Sequence, residues 1–184
     1  YMNFAPPDMI NTVNHVDGSN TNIIATIEKA FPRACETIKP YANRFKGSDL
    51  EATGRNIWNF LKNDIHYLAD TSHQKILMPL RLIKEKKGDC KSYALFSAST
   101  LFSCGYDVSF RYTSYNSSRT PTHIYCIASD NKGNQIICDG VWHTYNEEKD
   151  YTHKIDHPMR ISTLSGIESP LSSLSPAEIK RRIV

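Results

Sequence analysis

The stretch Lys87-Gly88-Asp89-Cys90-Lys91-Ser92 places a cysteine where a helix is predicted to begin, because the helix-forming run Tyr93 to Cys104 follows it directly. A helix start carries unpaired backbone N–H groups and the positive end of the helix dipole, and both favour a thiolate over a thiol. Asp89 is a good N-cap residue, and Gly88 can supply an unusual backbone angle before it. Cys90 is therefore a candidate nucleophile, although a thiol at a helix start, taken alone, is more often inert core packing.

Two later residues could complete a catalytic group with this thiol. His123 lies at the head of a predicted strand, and Asp139 lies at the end of the next one. If the two strands pair through a turn centred near Lys132, the residue numbers of paired positions add up to about 264. The side chains of His123 and Asp139 then lie one diagonal step apart, ~7–8 Å at the backbone. A histidine that a carboxylate orients, aimed at a helix-terminal thiol, is the arrangement of cysteine acyl-transfer enzymes.

Helices must position the thiol. From Thr21 apolar residues recur at helical spacing, and Pro32 is expected to end or kink that helix. Ser48-Asp49-Leu50-Glu51 has the form of a capping box and opens a second helix, whose apolar face is predicted to run to Leu68. Pro79 can stand in the first turn of a short helix that precedes the cysteine loop.

Strands must position the histidine and the aspartate. The cysteine helix should stop at Gly105, after which Val108, Phe110 and Tyr112 alternate with polar residues as in a strand. Two further strand-like runs follow, at 123–128 and 135–139. Together the three strands predict a three-stranded antiparallel sheet. The expected fold class is therefore α+β, with helices packed on an antiparallel sheet and the nucleophile at a helix N-terminus.

Length and composition limit the remaining possibilities. The chain has 184 residues, which favours one domain, predicted over residues 21–161 between an N-terminal arm (1–20) and a serine-rich linker with a short helix (162–184). The net charge is +3 without a basic stripe, so no nucleic-acid partner is expected. No apolar run approaches the ~20 residues of a membrane span, so the chain is predicted to be soluble, without a membrane partner.

The remaining cysteines and histidines predict no cofactor and no metal. The cysteines number five and lack CxxC spacing, which argues against a zinc knuckle or a disulfide framework and favours a reducing, cytoplasmic compartment. Cys126 and Cys138 could lie close on neighbouring strands, but we expect core thiols there rather than a disulfide. Three later histidines match no strong ligand motif, and their segment is expected to be a polar loop: His143, His153 and His157.

The segment from Leu50 to Asp139 resembles the transglutaminase-like superfamily of papain-like cysteine enzymes. The resemblance rests on an aromatic helix, Ile57-Trp58-Asn59-Phe60, on Gly88-Asp89-Cys90, on a helix ending in Gly105-Tyr106, and on the Cys, His, Asp order. It looks closest to small bacterial and phage forms, which would make the chain cytoplasmic or virion-associated. The chain differs from many relatives in Lys91-Ser92 after the cysteine and in Gly140-Val141 after the aspartate.

The resemblance implies a papain-like core and a role for each residue of the triad. Cys90 would be the nucleophile, His123 the base and Asp139 the residue that orients it, with backbone N–H groups near the cysteine holding the oxyanion. The substrate would be a peptide or protein, attacked at a peptide, side-chain amide or isopeptide bond. Two alternatives stay open: a peptidoglycan peptidase of the NlpC/P60 type, and a non-catalytic interaction module within a longer polypeptide or a phage assembly.

Overall fold

A computed structural model describes residues 13–16, 19–70 and 74–161. The predicted linker and most of the predicted arm lie outside these residues. The elements follow one another as β1 (Val13–Val16), α1 (Asn20–Ala42), α2 (Leu50–Asp64), β2 (His66–Tyr67), β3 (Gln74–Leu77), α3 (Pro79–Glu85), β4 (Lys87–Gly88), α4 (Cys90–Ser103), β5 (Asp107–Ser114), β6 (His123–Ser129), β7 (Gln135–Cys138) and β8 (His153–Met159).

The main sheet is antiparallel throughout, with the strand order β7-β6-β5-β8. Cys126 pairs with Cys138 across β6 and β7, so paired positions sum to 264 (126 + 138), which confirms the predicted register. The three predicted strands are confirmed. The prediction of a polar loop over the last histidines is wrong, because residues 153–159 form the edge strand β8.

β8 was missed because its side chains do not alternate between apolar and polar. None of its residues is buried, so the strand has no apolar face for a pattern to report. It is held instead by backbone pairing with β5 and by a bidentate ion pair, in which Arg111 donates to both Asp156 oxygens at 2.6 and 2.7 Å. The strand therefore depends on a long-range partner that local sequence does not show.

α4 is the central helix of the core. Every residue from Lys91 to Leu101 is buried, and the helix packs against α1, α2 and the strands β5 and β6. Ser99 and Thr100 do not interrupt this packing, because each hydroxyl donates to the carbonyl four residues earlier, at 2.7 Å. A helix that is buried on all sides holds its first residue, Cys90, at a fixed place at the edge of the core.

Pro32 was predicted to end or kink α1; it does not end the helix, which continues to Ala42. Pro32 removes one backbone hydrogen bond, which disfavours a helix interior. The packing of the helix against the core compensates, since Phe31 is fully buried in edge-to-face contact with Phe102 and Phe110, at centroid distances of 5.5 and 5.8 Å.

α2 begins one residue later and ends earlier than predicted. Its N-cap is Asp49, whose carboxylate accepts from the Ala52 amide at 2.8 Å, so the predicted capping box from Ser48 is wrong. The helix ends at Asp64, and Leu68 is 53% exposed rather than part of the apolar face. The chain turns into β2 instead, which pairs in parallel with β4 just before the cysteine.

Two smaller predictions concern the ends of α3 and α4. Pro79 stands in the first turn of α3, and Gly105 has a φ of +98° after α4, and both were predicted. Gly88 does not have a positive φ, so the predicted unusual angle is wrong. A glycine is required there for lack of space, because a Cβ would lie 2.5 Å from Leu82 Cδ1.

Within the described residues no helix is long and apolar enough to cross a bilayer.

Candidate active site

Cys90 is the first residue of α4. The preceding Asp89 is the N-cap, and its carboxylate accepts from the Ser92 amide at 3.1 Å. The amides of Cys90 and Lys91 are first-turn donors that this carboxylate does not use. Cys90 is partly exposed, whereas the other four cysteines are buried. The helix therefore presents one accessible thiol where its own dipole favours negative charge.

His123 and Asp139 are in direct contact. Nε2 of His123 lies 2.7 Å from Oδ2 of Asp139, at the head of β6 and just past the end of β7. The other carboxylate oxygen accepts from the Val141 amide at 3.0 Å, and the Trp58 indole donates to the Asp139 carbonyl at 3.0 Å. Asp139 is only 6% exposed. Hydrogen bonds therefore hold both its side chain and its backbone carbonyl in place.

The environment of His123 favours its charged form. Burial lowers the pKa of the imidazole, but the hydrogen bond to Asp139 and the interaction with the neighbouring Cys90 and its charge outweigh burial and raise it to about 9. Because Asp139 engages Nε2, Nδ1 is the ring nitrogen left for the thiol. The ring can thus bridge carboxylate and thiol.

Two tyrosine rings flank the imidazole. The centroid of Tyr125 lies 5.5 Å from that of His123, and the centroid of Tyr115 lies 6.0 Å from it. Tyr125 is fixed in turn, because its hydroxyl donates to Glu148 at 2.6 Å and Glu148 also accepts from Arg111 at 2.5 Å. These contacts limit the rotation of the imidazole.

Lys91 follows the thiol and is only 6% exposed. Its ammonium group donates to Gln74 Oε1 at 2.8 Å and to Asp89, and it lies 3.5 Å from Asp70. Burial lowers the pKa of Lys91, but the two carboxylates outweigh burial and hold it above the ordinary value. Burial raises the pKa of the Asp89 carboxyl, and the Lys91 ammonium opposes that rise. Through Gln74 the lysine also ties β3 to the start of α4.

A cleft of about 440 Å³ opens beside the thiol and is lined by both Cys90 and His123. One side is formed by the first turns of α1, and the other by the connection between β5 and β6. Asn20 spans the two sides, since its side-chain amide donates to the Pro121 carbonyl at 2.8 Å. The volume falls in the range of binding sites for small ligands.

The structure brings the three predicted residues together, and it adds groups that sequence reasoning missed. Trp58 was predicted only as part of an apolar face, Lys91 was noted only as a difference from relatives, and α1 was assigned no part in the site. Of these groups, only Lys91 could have been recognised from the sequence, as a lysine inside an otherwise apolar helix. Tyr112 lines the cleft, and Tyr115 lies beside the imidazole.

The remaining candidates lie apart from this site. Cys126 and Cys138 face each other across β6 and β7 as free thiols. His157 bonds to Glu28 at 2.5 Å, and His143 packs against a tryptophan ring. In residues 19–70 and 74–161 no three histidine, cysteine or acidic side chains are grouped closely enough to hold a metal ion.

The fold is similar to that of three solved structures. A candidate cysteine protease from Cytophaga hutchinsonii has a TM-score of 0.48 and 17% identity over 68% of this chain and 43% of that one. A candidate protease from Parabacteroides distasonis has a TM-score of 0.48 and 11% identity over 66% of this chain and 26% of that one. Calcium-bound LapG from Legionella pneumophila has a TM-score of 0.43 and 17% identity over 69% of this chain and 75% of that one.

This chain therefore spans less than half the length of the first two proteins. No curated protein matches the sequence significantly.

The predicted fold class is confirmed: the molecule is an α+β protein with a transglutaminase-like core, in which the helix that carries Cys90 packs on an antiparallel sheet. A family model described as a transglutaminase-like domain matches residues 36–163. That match covers more than half of the sequence and includes α4, β6 and β7, and it confirms the resemblance that the sequence showed: the chain belongs to the transglutaminase-like family.

Proposed function

We propose that this chain is a cysteine-dependent acyl-transfer enzyme that uses Cys90, His123 and Asp139 to open a peptide, side-chain amide or isopeptide bond. One observation carries the proposal: an accessible helix-terminal thiol lines the same cleft as a histidine whose far nitrogen is bonded to a buried carboxylate. This is the nucleophile, base and orienter geometry of covalent acyl transfer.

The reaction begins from a thiolate–imidazolium pair, in which His123 already holds the thiol proton, and the sulfur of Cys90 attacks the substrate carbonyl carbon. A C–S bond forms, and the carbonyl electron pair moves onto oxygen. When the tetrahedral intermediate collapses, the C–N bond breaks and the imidazolium returns its proton to the leaving amine. Water or a second amine then attacks the thioester and loses its proton to His123, and the thiolate leaves. Asp139 keeps the ring oriented and stabilises its charge in both halves.

The oxyanion would be held by backbone donors at the start of α4. The Cys90 amide lies next to the attacking sulfur, and the Asp89 carboxylate engages the amide of Ser92 rather than this one. A free first-turn amide is aligned with the helix dipole, which favours the charge that develops on the carbonyl oxygen.

Two observations favour this function over the alternatives. The residue that contacts His123 is a carboxylate, whereas a peptidoglycan peptidase of the NlpC/P60 type commonly has another histidine or a polar residue in that place. A non-catalytic module has no need of an accessible thiol, and Cys90 is partly exposed at the cleft rather than sealed beneath the core.

The decisive experiment is labelling by an activity-based probe panel. Native protein would be treated with peptidyl electrophiles and, separately, with iodoacetamide, and each cysteine would be quantified by mass spectrometry. We expect Cys90 to react at least about 100-fold faster than the buried thiols, because reactivity follows accessibility and thiolate character. Equal, slow labelling of all five cysteines would contradict the proposal.

Two controls complete the test. His123→Ala should slow probe labelling of Cys90 while the protein stays folded, and Cys35→Ala should leave it unchanged, because Cys35 is buried in α1. Digestion of purified peptidoglycan would distinguish the cell-wall alternative. Cleavage there, without action on any protein or peptide, would transfer the assignment to that class.

A further inference from the structure

We propose that the cleft beside Cys90 receives a neutral aliphatic side chain on the acyl side of the substrate. This inference rests on the proposed function and specifies the substrate that the same site accepts.

Much of the lining is apolar, and polar side chains complete it: Asn20, Gln74, Lys91, Thr120 and Thr122. Three isoleucines of α1 contribute, at helical positions that share one side: Ile23, Ile24 and Ile27. The sheet contributes Tyr112 and Ile124, which are 3% and 4% exposed. Ile27 is fully buried, whereas Ile23 and Ile24 are only partly buried and keep apolar surface that a ligand could cover.

The charges around the cleft are already paired. Lys91 lines it, but its ammonium group has partners in Gln74 and in the carboxylates of Asp89 and Asp70. Asn20 is engaged with the Pro121 carbonyl. Apart from the reacting pair, Cys90 and His123, the described lining residues therefore offer no unpaired charge to a charged side chain, whose burial would be costly.

The position of the cleft assigns it to the acyl part of the substrate. Both Cys90 and His123 line it, so a group held there lies directly beside the reacting carbonyl. The acyl part stays attached to the sulfur through both halves of the reaction, whereas the amine leaves after the first. A pocket that the thiol itself lines can therefore hold the acyl part throughout, and that binding energy contributes to both steps.

The test is a matched series of peptidyl electrophiles that place glycine, leucine, aspartate or lysine at the residue next to the reactive group, or at the one before it. The rate of Cys90 modification would be followed by intact-mass spectrometry. At one of these positions we expect leucine to react at least about tenfold faster than glycine, and aspartate and lysine to react no faster than glycine. Ile23→Ala and Ile24→Ala should each reduce the leucine-to-glycine ratio several-fold.

The matched control is Ile137→Ala, since Ile137 is also partly buried but lies on the edge strand β7 and does not line the cleft. It should leave the ratio unchanged. Equal rates for leucine and glycine at both positions would overturn the inference. An equal gain for every probe in the Ile23→Ala variant would also overturn it, because the cleft would then be holding a segment of this same chain.

Iodoacetamide separates this inference from the proposed function. If Cys90 reacts fast with iodoacetamide but shows no preference among the peptidyl probes, the aliphatic pocket is refuted and the enzyme assignment stands. If Cys90 is inert to iodoacetamide as well, the assignment itself fails, and this inference fails with it.

Discussion

Cys90 differs from two other thiols nearby in the fold, Cys126 and Cys138. These two face each other across the sheet and are 0% and 1% exposed, and burial raises the pKa of Cys138 to about 12 and that of Cys126 well above its ordinary value. Cys90 is partly exposed, follows an N-cap and lies in a cleft with a histidine. The same residue type is thus inert within the sheet and placed for reaction at the end of a helix.

The buried thiol pair and the candidate site are separated by a single step along the chain. β7 ends at the buried Cys138, and the next residue, Asp139, leaves the strand ladder and bonds to His123. Gly140 lets the chain pass close to α2 there, because a Cβ would lie 2.7 Å from Leu61 Cδ1. The end of the strand therefore separates the structural thiol from the candidate catalytic carboxylate.

Removal of the Cys90 thiol should have the largest effect on activity. Cys90→Ala should reduce acyl transfer by a factor on the order of 10⁴–10⁶, because no other group can form the thioester. The thermal midpoint should change little, because the side chain is only partly buried. Activity assays and thermal unfolding would be measured on the same sample, and retained activity would exclude Cys90 as the nucleophile.

The next effect concerns the carboxylate. Asp139→Asn keeps the shape but removes the charge that holds the imidazole, so the rate should fall by roughly 10²–10⁴ and the pKa of His123 should fall from about 9. The histidine pKa can be followed by NMR. Asp130→Asn is the matched control, since that carboxylate lies in the exposed turn of the same hairpin and bonds only within it. An unchanged histidine pKa would contradict the assigned contact.

A smaller effect is the pH dependence of stability. The folded-state pKa of His123 is raised above its unfolded value of 6.5 to about 9, so its contribution is complete below pH 6.5 and is lost as pH rises through 9. That contribution is on the order of 3 kcal/mol at most. Urea unfolding between pH 6 and pH 10 should show a decline that is absent in His123→Ala. A parallel decline in both proteins would assign it to other groups.

Removal of a buried thiol within the sheet should have the smallest effect, and that effect should be on stability alone. Cys126→Ala removes a fully buried sulfur and should lower the free energy of unfolding by about 1 kcal/mol. Labelling of Cys90 should be unaffected, because Cys126 does not line the cleft. A change in labelling rate without loss of stability would show that the two regions are coupled.

Local patterns were sufficient for the elements that carry the site. The N-cap at Asp89, the helix behind Cys90 and the hairpin register followed from residue type and alternation, because capping, helical periodicity and tight turns depend on neighbours in sequence. The same reasoning left the end of α1 open at Pro32 and missed β8, where a long-range packing contact and a long-range ion pair decide the outcome.

By itself, then, the sequence determined which residues are candidates for chemistry, their order, and the helix and hairpin on which they lie. Only the tertiary structure decided that His123 contacts Asp139, that Lys91 is buried between carboxylates, and that the start of α1 forms a wall of the cleft. The reason is physical: capping and strand alternation are local, whereas the pairing of buried charges and the closure of a cleft depend on segments that are distant in sequence and meet only when the core packs.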